Sequence, residues 1–313
     1  MPSYFTEPSK RHCHGCGLQG RARAVAKTVS DRYLSPAMLR IAIEGASGYS
    51  GMELTRILER HPQASLVAVS SGRWAGRTIG QVVGLSGRIG GLLYTERIDA
   101  DVDGVFLATP AGVSRELAPI WLKRGAIVVD LSDAYRADPG ATYAVTELHR
   151  TRVAGSRLIA NPGCYPTAAL LALVPLIEAG LVDEGPVIID AKSGVTGAGR
   201  KLDDSLLFNE LMDNHYPYRV GEHQHVPEIE RVLGRKVLFT PHLLPTRRGI
   251  LVSAYVRVKG GVEPKELRDC LQALLSALER GVRSAQIIDG RVSHNLLAEL
   301  FTDQGVGTMV EAT

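Results

Sequence analysis

One cysteine has a setting that suits covalent catalysis. Cys164 lies in the segment NPGCYPT (161–167), at a sharp turn directly before a stretch with helical character. A helix N-terminus lowers the pKa of a thiol and exposes its sulfur, and the thiolate is the reactive form. We therefore expect Cys164 to attack a carbonyl carbon. The alternative is a small buried cysteine, which is our interpretation of Cys270 inside an apolar helix.

Two histidines offer the proton transfer that such a nucleophile needs. His223 and His225 occur in GEHQHVPE (221–228), and at this spacing their side chains point the same way if the chain is extended. An imidazole can act as general base and then as proton donor beside a cysteine. The spacing does not decide which histidine does so. A metal pair and surface histidines are the alternatives, but no further cluster of ligands lies nearby, and we predict no metal site.

Two segments offer positive charge and backbone amides for an anionic substrate. The segment KSGVTGAGR (192–200) combines Lys192 with a glycine-rich loop, and PTRRG (245–249) contains Arg248, whose guanidinium suits carboxylate or phosphate. Each could instead be a solvated turn. With Cys164 and a histidine, these anchors describe a dehydrogenase that works through a thiohemiacetal, with hydride carried by a nicotinamide.

A glycine turn fits the phosphates of that cofactor. The turn follows a predicted strand and precedes a predicted helix, at the spacing G-x-x-G-x-x-G: Gly45, Gly48 and Gly51. Glycine lets the backbone approach a pyrophosphate, and the helix N-terminus supplies amide donors. Ser70, Ser71 and Arg73 follow the next strand, where an NAD site has an acidic residue. Hydroxyls and a cation favour the 2′-phosphate of NADP. A tight turn and a solvated loop are the alternatives.

The sequence of the N-terminal half predicts the fold that would position these groups. We predict strands at 39–44, 66–70, 105–108 and 127–131, with helices at 52–60 and 114–124. Strands that alternate with helices at this spacing favour a parallel, doubly wound sheet of Rossmann type. Its strand C-termini share one edge, where ligands bind.

The pattern changes after residue 161. We predict helices at 167–179 and 264–280, and strands at 187–191, 237–241 and 251–258, the last with antiparallel alternation. The fold class is therefore α/β, a Rossmann-type sheet joined to a second α+β domain of mixed sheet for catalysis and oligomerisation.

Composition narrows the class of protein. The chain has 313 residues, 45% of them hydrophobic and 22% charged, which is typical of a globular protein of one or two domains. The net charge of +3 does not favour nucleic acid, and no apolar run approaches a membrane span. Four cysteines without a secretory signal indicate the cytoplasm.

Residues 39–267 resemble the N-acetyl-γ-glutamyl-phosphate reductases, members of the aspartate-semialdehyde dehydrogenase superfamily. The matching segments are GASGYSG (45–51), ATP (108–110), VDLS (129–132) with Tyr135 and Arg136, NPGCYPT (161–167), KSG (192–194), HQHVPE (223–228) and RG (248–249). The resemblance implies reduction of N-acetyl-glutamyl 5-phosphate to its semialdehyde in arginine biosynthesis. It also implies a homo-oligomer, dimer or tetramer, built through the sheet of the second domain.

The resemblance assigns roles to individual residues. Cys164 is the acyl-forming nucleophile, and His223 or His225 is its acid/base partner. The cofactor residues are Gly45, Ser47, Gly48, Tyr49, Ser50, Gly51, Thr109, Pro110, Ser193 and Gly194, with Ser70, Ser71 and Arg73 on the NADP side. The substrate residues are Ser132, Arg136, Asn161, Lys192, Glu222 and Arg248.

The end of the chain departs from that family. Residues 277–310 resemble the C-terminus of N-acetylglutamate kinase, which catalyses the preceding step of the same pathway. We therefore expect a basic leader (1–38), a cofactor domain (39–163), a catalytic and oligomerisation domain (164–275) and a kinase-like tail without kinase activity (276–313). Two alternatives to the reductase stay open. One is an inactive fusion that only binds cofactor or a partner, and the other is a lysine-pathway relative that acts on an aminoadipate analogue.

Overall fold

A computed structural model describes residues 38–200, 203–278, 284–287 and 308–311. The chain from Leu39 onward is built on two larger β-sheets and a short two-stranded one. The predicted leader and most of the predicted kinase-like tail lie outside the described residues, so both stay predictions.

The first sheet has seven strands in the order β3-β2-β1-β4-β5-β7-β6, and every neighbouring pair is parallel. The strands are β1 (Leu39–Glu44), β2 (Ala64–Ser70), β3 (Tyr94–Thr95), β4 (Gly104–Leu107), β5 (Ile127–Asp130), β6 (Thr142–Tyr143) and β7 (Leu158–Ala160). The four consecutive residues 41–44 of β1 are buried, which suits a sheet that is covered on both faces.

Four helices connect these strands: α1 (Tyr49–Glu59), α2 (Ile79–Val83), α3 (Ala111–Lys123) and α4 (Thr146–Val153). The chain runs outward from β1 through β2 to β3 and then returns to β4 on the other side of β1. A reversal of strand order opens a crevice at the strand C-termini, where doubly wound sheets bind ligands. The glycine turn after β1 lies at this crevice.

The second sheet has the order β11-β8-β10-β9 and is mixed. Strand β10 is parallel to β8, whereas β11 and β9 are antiparallel to their neighbours. Its strands are β8 (Val187–Gly194), β9 (Tyr216–Pro217), β10 (Val237–Leu244) and β11 (Ile250–Tyr255), and its helices are α5 (Cys164–Glu178), α6 (Phe208–Leu211), α7 (Val226–Leu233) and α8 (Pro264–Leu278). The predicted fold class is confirmed.

One apolar core extends across both sheets. It joins Leu107 of β4 and Trp121 of α3 to Leu170 of α5 and to Ile189 and Phe239 of the second sheet. Helix α5 is apolar along most of its length, and most of its buried residues belong to this core. The helix that begins at Cys164 is therefore held from both sheets.

Three of the differences from the sequence predictions concern residues near Cys164. Strand β8 continues to Gly194, so the first part of the expected glycine-rich loop is strand. Helix α5 begins at Cys164 and not at residue 167. His225 has helical backbone angles and precedes α7, so the two histidines do not share an extended strand. Strand β8 and helix α5 run further because sheet or helix neighbours complete their hydrogen bonds, which local patterns do not reveal. Elsewhere α1 begins at residue 49 and not 52, α3 begins at 111 and not 114, and β11 ends at 255 and not 258.

Two strands of the C-terminal region pair with each other. Strands β12 (Ser284–Ile287) and β13 (Thr308–Glu311) are antiparallel. Within the described ranges, no helix combines the length and the apolar character needed to cross a bilayer.

Candidate active site

Cys164 is the first residue of α5, and its side chain is exposed. The preceding N-cap, Gly163, has no side chain that could bond the free amides of the first turn. The backbone N–H groups of Cys164 and Tyr165 are instead turned to the sulfur. The helix start is therefore arranged to stabilise negative charge at this thiol.

The expected lowering of the thiol pKa is nevertheless wrong. Although the side chain as a whole is exposed, the surrounding protein desolvates the sulfur, which raises the pKa of Cys164, and Glu228 adds to the rise. The two backbone N–H groups and Arg136 act in the opposite direction without cancelling the desolvation. The resting form of Cys164 is therefore the thiol.

His223 and His225 are both buried and contact each other. Their ring centroids are 4.8 Å apart, and the backbone N–H of His225 donates to Nδ1 of His223 at 3.2 Å. Burial lowers the pKa of His223 to about 4, helped by Arg219, and that of His225 to about 3, helped by His223 and Arg136. Both imidazoles are neutral near pH 7, which leaves each able to accept a proton.

His225 is packed against the residue before the nucleophile. A methyl group added to Gly163 would lie 2.4 Å from Nε2 of His225. Only glycine allows this approach, because a Cβ atom would overlap the ring. The contact brings the His225 ring edge to the start of α5.

A buried carboxylate joins these parts. Glu228 Oε1 accepts hydrogen bonds from the Gly163 N–H at 2.8 Å and from the Tyr143 hydroxyl at 2.7 Å. Glu228 Oε2 accepts from Nη1 of Arg136 at 3.3 Å. Arg136 also donates to the backbone carbonyls of Asn161 and Leu131. Glu228 thus ties the loop before Cys164 and two segments of the first sheet to the helix that follows His225.

The thiol and both histidines line one cleft of about 490 Å³. Other residues that line it are Tyr165, Ser193, Gly197, Ala198, Asp203, Ser205, Leu206, Tyr216, Tyr218, Arg219, Gln224 and Leu243. The cleft thus combines a nucleophile, neutral bases and a cation, which are the groups that acyl transfer requires.

The glycine turn has one position that is open to a ligand. A Cβ on Gly45 would lie 2.5 Å from the Ala108 carbonyl oxygen, and one on Gly51 would lie 2.6 Å from Cα of Ala46. Those two glycines are required by packing. A Cβ on Gly48 would have only one neighbour, at 3.8 Å. Gly48 is the N-cap of α1, and no side chain there bonds the first amides of the helix. Free backbone N–H groups therefore lie beside the open space at Gly48.

The residues after β2 are mostly engaged within the protein. The Ser70 hydroxyl donates to Glu44 and accepts from the Gly45 N–H, and both serines are buried. The Ser71 hydroxyl accepts from the Trp74 N–H at 3.2 Å. Arg73 is exposed. Of the three residues predicted for the 2′-phosphate, Arg73 is the one whose side chain faces solvent.

Two arginines connect the second sheet's loops to α1 and the turn before it. Arg200 Nη1 donates to the Ser47 carbonyl at 3.3 Å, and Arg248 Nη2 donates to Glu53 of α1 at 3.3 Å. Ala198 lines the cleft only two residues before Arg200. The cofactor turn and the cleft are therefore neighbours.

Two family models match this chain in tandem. The semialdehyde dehydrogenase NAD binding domain matches residues 40–156, and the semialdehyde dehydrogenase dimerisation domain matches residues 164–283. The boundary between them falls just before Cys164.

Several similar proteins carry the same name. The N-acetyl-gamma-glutamyl-phosphate reductase of Magnetococcus marinus is 42% identical over 263 residues, covering 74% of this chain and 75% of that protein. The enzyme of the same name from Syntrophobacter fumaroxidans is 42% identical over 258 residues, with the same coverage. The chain belongs to the N-acetyl-gamma-glutamyl-phosphate reductase family. The resemblance inferred from the motifs is confirmed.

Solved structures show the same fold at lower identity. Aspartate semialdehyde dehydrogenase II from Vibrio cholerae, complexed with ASA, has a TM-score of 0.62 at 19% identity and covers 75% of this chain and 79% of its own. The aspartate semialdehyde dehydrogenase from Candida albicans with NADP has a TM-score of 0.59 at 17% identity, covering 75% and 76%.

The reductase-family substrate residues are not all together in the structure. Lys192 alternates with Ser193 in β8, so it faces away from the cleft that Ser193 lines, and it pairs with Asp190. Glu222 is exposed and does not line the cleft. Arg248 is engaged by Glu53. The structure therefore does not bring these three side chains to Cys164.

The other predicted substrate residues adjoin the Cys164 loop. The Ser132 hydroxyl donates to Asp130 and accepts from the Ala134 N–H. The Asn161 side chain is exposed, and its amide donates to the Pro162 carbonyl at 3.0 Å. Arg136 is held by Glu228 as described. These groups shape the loop, and their substrate roles stay predictions.

The remaining predicted cofactor residues lie at two places. Tyr49 and Ser50 are exposed in the first turn of α1, and Pro110 is the N-cap of α3 beside Thr109. Ser193 lines the cleft, whereas Gly194 packs against the segment 246–248. The first group borders the crevice between β1 and β4, where a cofactor is expected.

Three residues of the site were not singled out in the sequence. Glu228 was quoted only as part of a motif, and Tyr218 and Arg219 precede that motif. The hydroxyl of Tyr218 donates to that of Tyr165 at 3.2 Å, which places an aromatic wall beside His223. A glutamate in the first turn of a short amphipathic helix, three residues after the second histidine, was the available signal for Glu228.

Proposed function

We propose that the chain reduces N-acetyl-glutamyl 5-phosphate to N-acetyl-glutamate 5-semialdehyde with NADPH, through a thioester on Cys164. The observation that carries this proposal is the shared cleft of Cys164, His223 and His225. The reaction agrees with the name of the similar enzymes. It assigns the chain to arginine biosynthesis.

The first half-reaction is acyl transfer to the protein. The Cys164 sulfur attacks the acyl carbon, an S–C bond forms and the C–O bond to phosphate breaks. A neutral imidazole takes the thiol proton as the S–C bond forms and gives it to the departing phosphate. We assign this role to His225, because its Nε2 edge lies against Gly163, the residue that precedes the nucleophile.

The second half-reaction releases the aldehyde. A nicotinamide cofactor, when bound, supplies the hydride that reduces the acyl group. As the C–S bond breaks, His225 delivers a solvent-derived proton to the sulfur and restores the thiol. The N–H groups at the start of α5 face the sulfur and oppose charge build-up there.

The glycine turn suits the cofactor's phosphates. Gly48 leaves open space at the start of α1, and the exposed first turn carries Tyr49 and Ser50. We assign NADP over NAD because β2 is followed by exposed Arg73 and no acidic side chain. Ser70 and Ser71 then support the turn from beneath, as their buried hydroxyls indicate.

We also propose a homo-oligomer through the outer face of the second sheet. Ile188, Leu238 and Tyr255 are 44%, 60% and 57% exposed, and the strand register puts them side by side on the face opposite Ser193. Such a row is typical of a buried interface. We place the protein in the cytoplasm, and the free thiols of Cys164 and Cys270 among the described residues support this location.

Trapping the acyl-enzyme tests this function. Protein incubated with N-acetyl-glutamyl 5-phosphate and no cofactor should gain one N-acetyl-glutamyl group on the Cys164 peptide, removable by hydroxylamine. Cys164→Ser should not form a thioester. An aminoadipate analogue that acylates faster would indicate a lysine-pathway enzyme, and no acylation of a folded protein would indicate an inactive fusion.

A further inference from the structure

Arg219 has an unusual backbone conformation at the wall of the cleft. Its φ is +46°, in the left-handed region, although it is not a glycine. Left-handed backbone is strained for a bulky residue and persists where the surrounding structure or function requires it. Arg219 lies just after β9 and lines the same cleft as Cys164 and His223.

The guanidinium of Arg219 is available to a ligand. Its side chain is exposed, and Nη1 donates to Oε1 of Gln224 at 2.9 Å, a neutral partner on the same cleft wall. Within the described part of the chain, no carboxylate forms an ion pair with Arg219. Asp203 also lines the cleft, and its carboxylate accepts from the backbone and hydroxyl of Ser205.

The cations that the sequence predicted for substrate binding form ion pairs within the protein. Arg136 pairs with Glu228 at 3.3 Å, Lys192 pairs with Asp190, and Arg248 pairs with Glu53 at 3.3 Å. A substrate with two anionic ends needs a cation near the reacting carbon, and a guanidinium holds phosphate or carboxylate with two parallel hydrogen bonds.

We infer that Arg219 is the anion anchor of the Cys164 cleft, exchanging its bond to Gln224 for the phosphoryl or carboxylate group of the substrate. This inference rests on the proposed function. A guanidinium would bind the phosphoryl group and the carboxylate in the same way. The reverse reaction distinguishes the two groups, because inorganic phosphate and the carboxylate-bearing semialdehyde then bind as separate substrates.

Steady-state kinetics in the reverse direction assign the anion. Arg219→Gln should raise KM for either phosphate or the semialdehyde by roughly tenfold or more, with a smaller change in kcat. Arg219→Lys should restore part of the loss, since it keeps the charge but not the fork. Arg152→Gln, an exposed arginine outside the cleft, is the matched control. Unchanged KM values for both substrates would overturn the inference.

A second readout needs no turnover. Anionic iodoacetate and neutral iodoacetamide both alkylate Cys164, and a cation in the cleft favours iodoacetate. The ratio of the two rates, measured on the Cys164 peptide by mass spectrometry, should fall in Arg219→Gln and not in Arg152→Gln. If the wild-type protein shows no turnover and the ratio still falls in Arg219→Gln, the anchor is supported and the reductase is rejected. An unchanged ratio in an active enzyme would reject the anchor alone.

Discussion

The carboxylate of Glu228 accepts a hydrogen bond from the backbone N–H of Gly163 at 2.8 Å, across 65 positions of sequence. Gly163 precedes the nucleophile, and Glu228 stands three residues after His225. One buried side chain therefore sets where the thiol lies relative to its base. The same carboxylate is paired with Arg136, so the arrangement is electrostatically balanced.

Glu228→Gln tests this positioning role. The amide keeps the size of the side chain but brings its NH₂ group against donors from Arg136, Tyr143 or Gly163. We expect a destabilisation of about 1–3 kcal/mol in urea unfolding and a fall in kcat of roughly tenfold or more. Tyr143→Phe removes one donor and leaves the Gly163 bond, so it should lose stability with little loss of kcat. Full kcat in Glu228→Gln would contradict the role.

Gly163→Ala tests whether turnover depends on the position of the His225 ring. The added methyl group would meet Nε2 of His225 at 2.4 Å, so the ring must move away from the start of α5. We expect turnover to fall by about a hundredfold or more, given the sensitivity of catalysis to displacements near 1 Å. Gly185→Ala adds a methyl group in open space and serves as the control. Equal activity of the two variants would show that His225 does not need its observed position.

The pH dependence of alkylation tests the resting state of the thiol. Because desolvation raises the pKa of Cys164, less thiolate is present at neutral pH than for a free cysteine. The rate of iodoacetamide labelling at Cys164 should therefore rise with a midpoint above the usual value of about 8.5. The same peptide in urea should show the ordinary midpoint. A labelling plateau already reached near pH 6 would indicate a preformed thiolate instead.

The cofactor turn yields a contrast between two glycines. Gly48→Ala places a methyl group in the open space at the start of α1, so NADPH affinity should fall by about tenfold while the melting temperature stays near wild type. Gly51→Ala drives a Cβ against the Ala46 backbone at 2.6 Å, so the melting temperature itself should fall. Fluorescence titration and thermal unfolding measure the two effects. Unimpaired NADPH binding in Gly48→Ala would contradict the assigned phosphate site.

The parts of this structure that local sequence determines were predictable. Strand β1 matches its predicted bounds of 39–44, and the glycine turn between it and α1 is where the motif indicated. The arrangement around Cys164 could not be predicted in this way, because Glu228 contacts Arg136 and Tyr143 across 92 and 85 positions of sequence. Contacts of this range depend on how two sheets pack, and no periodicity encodes them.

The electrostatics of the site were equally hidden from the sequence. A helix N-terminus alone lowers a thiol pKa, but at Cys164 burial outweighs it. Lys192 was predicted as a cleft cation because a glycine-rich loop was expected there. The pairing of β8 with β10 continues to Gly194, and strand alternation turns Lys192 to the opposite face. Arg219 has no motif of its own and is recognised only by its place in the cleft.

The central claim is that this chain is a phosphate-dependent, NADP-linked reductase whose chemistry passes through Cys164. The most direct test is reduction of NADP by the purified protein with N-acetyl-glutamate 5-semialdehyde, measured with and without inorganic phosphate and with Cys164→Ala alongside. We predict turnover that requires phosphate and disappears in the variant. Turnover that survives without phosphate or without the thiol, or a folded wild-type protein with no turnover, would contradict the account.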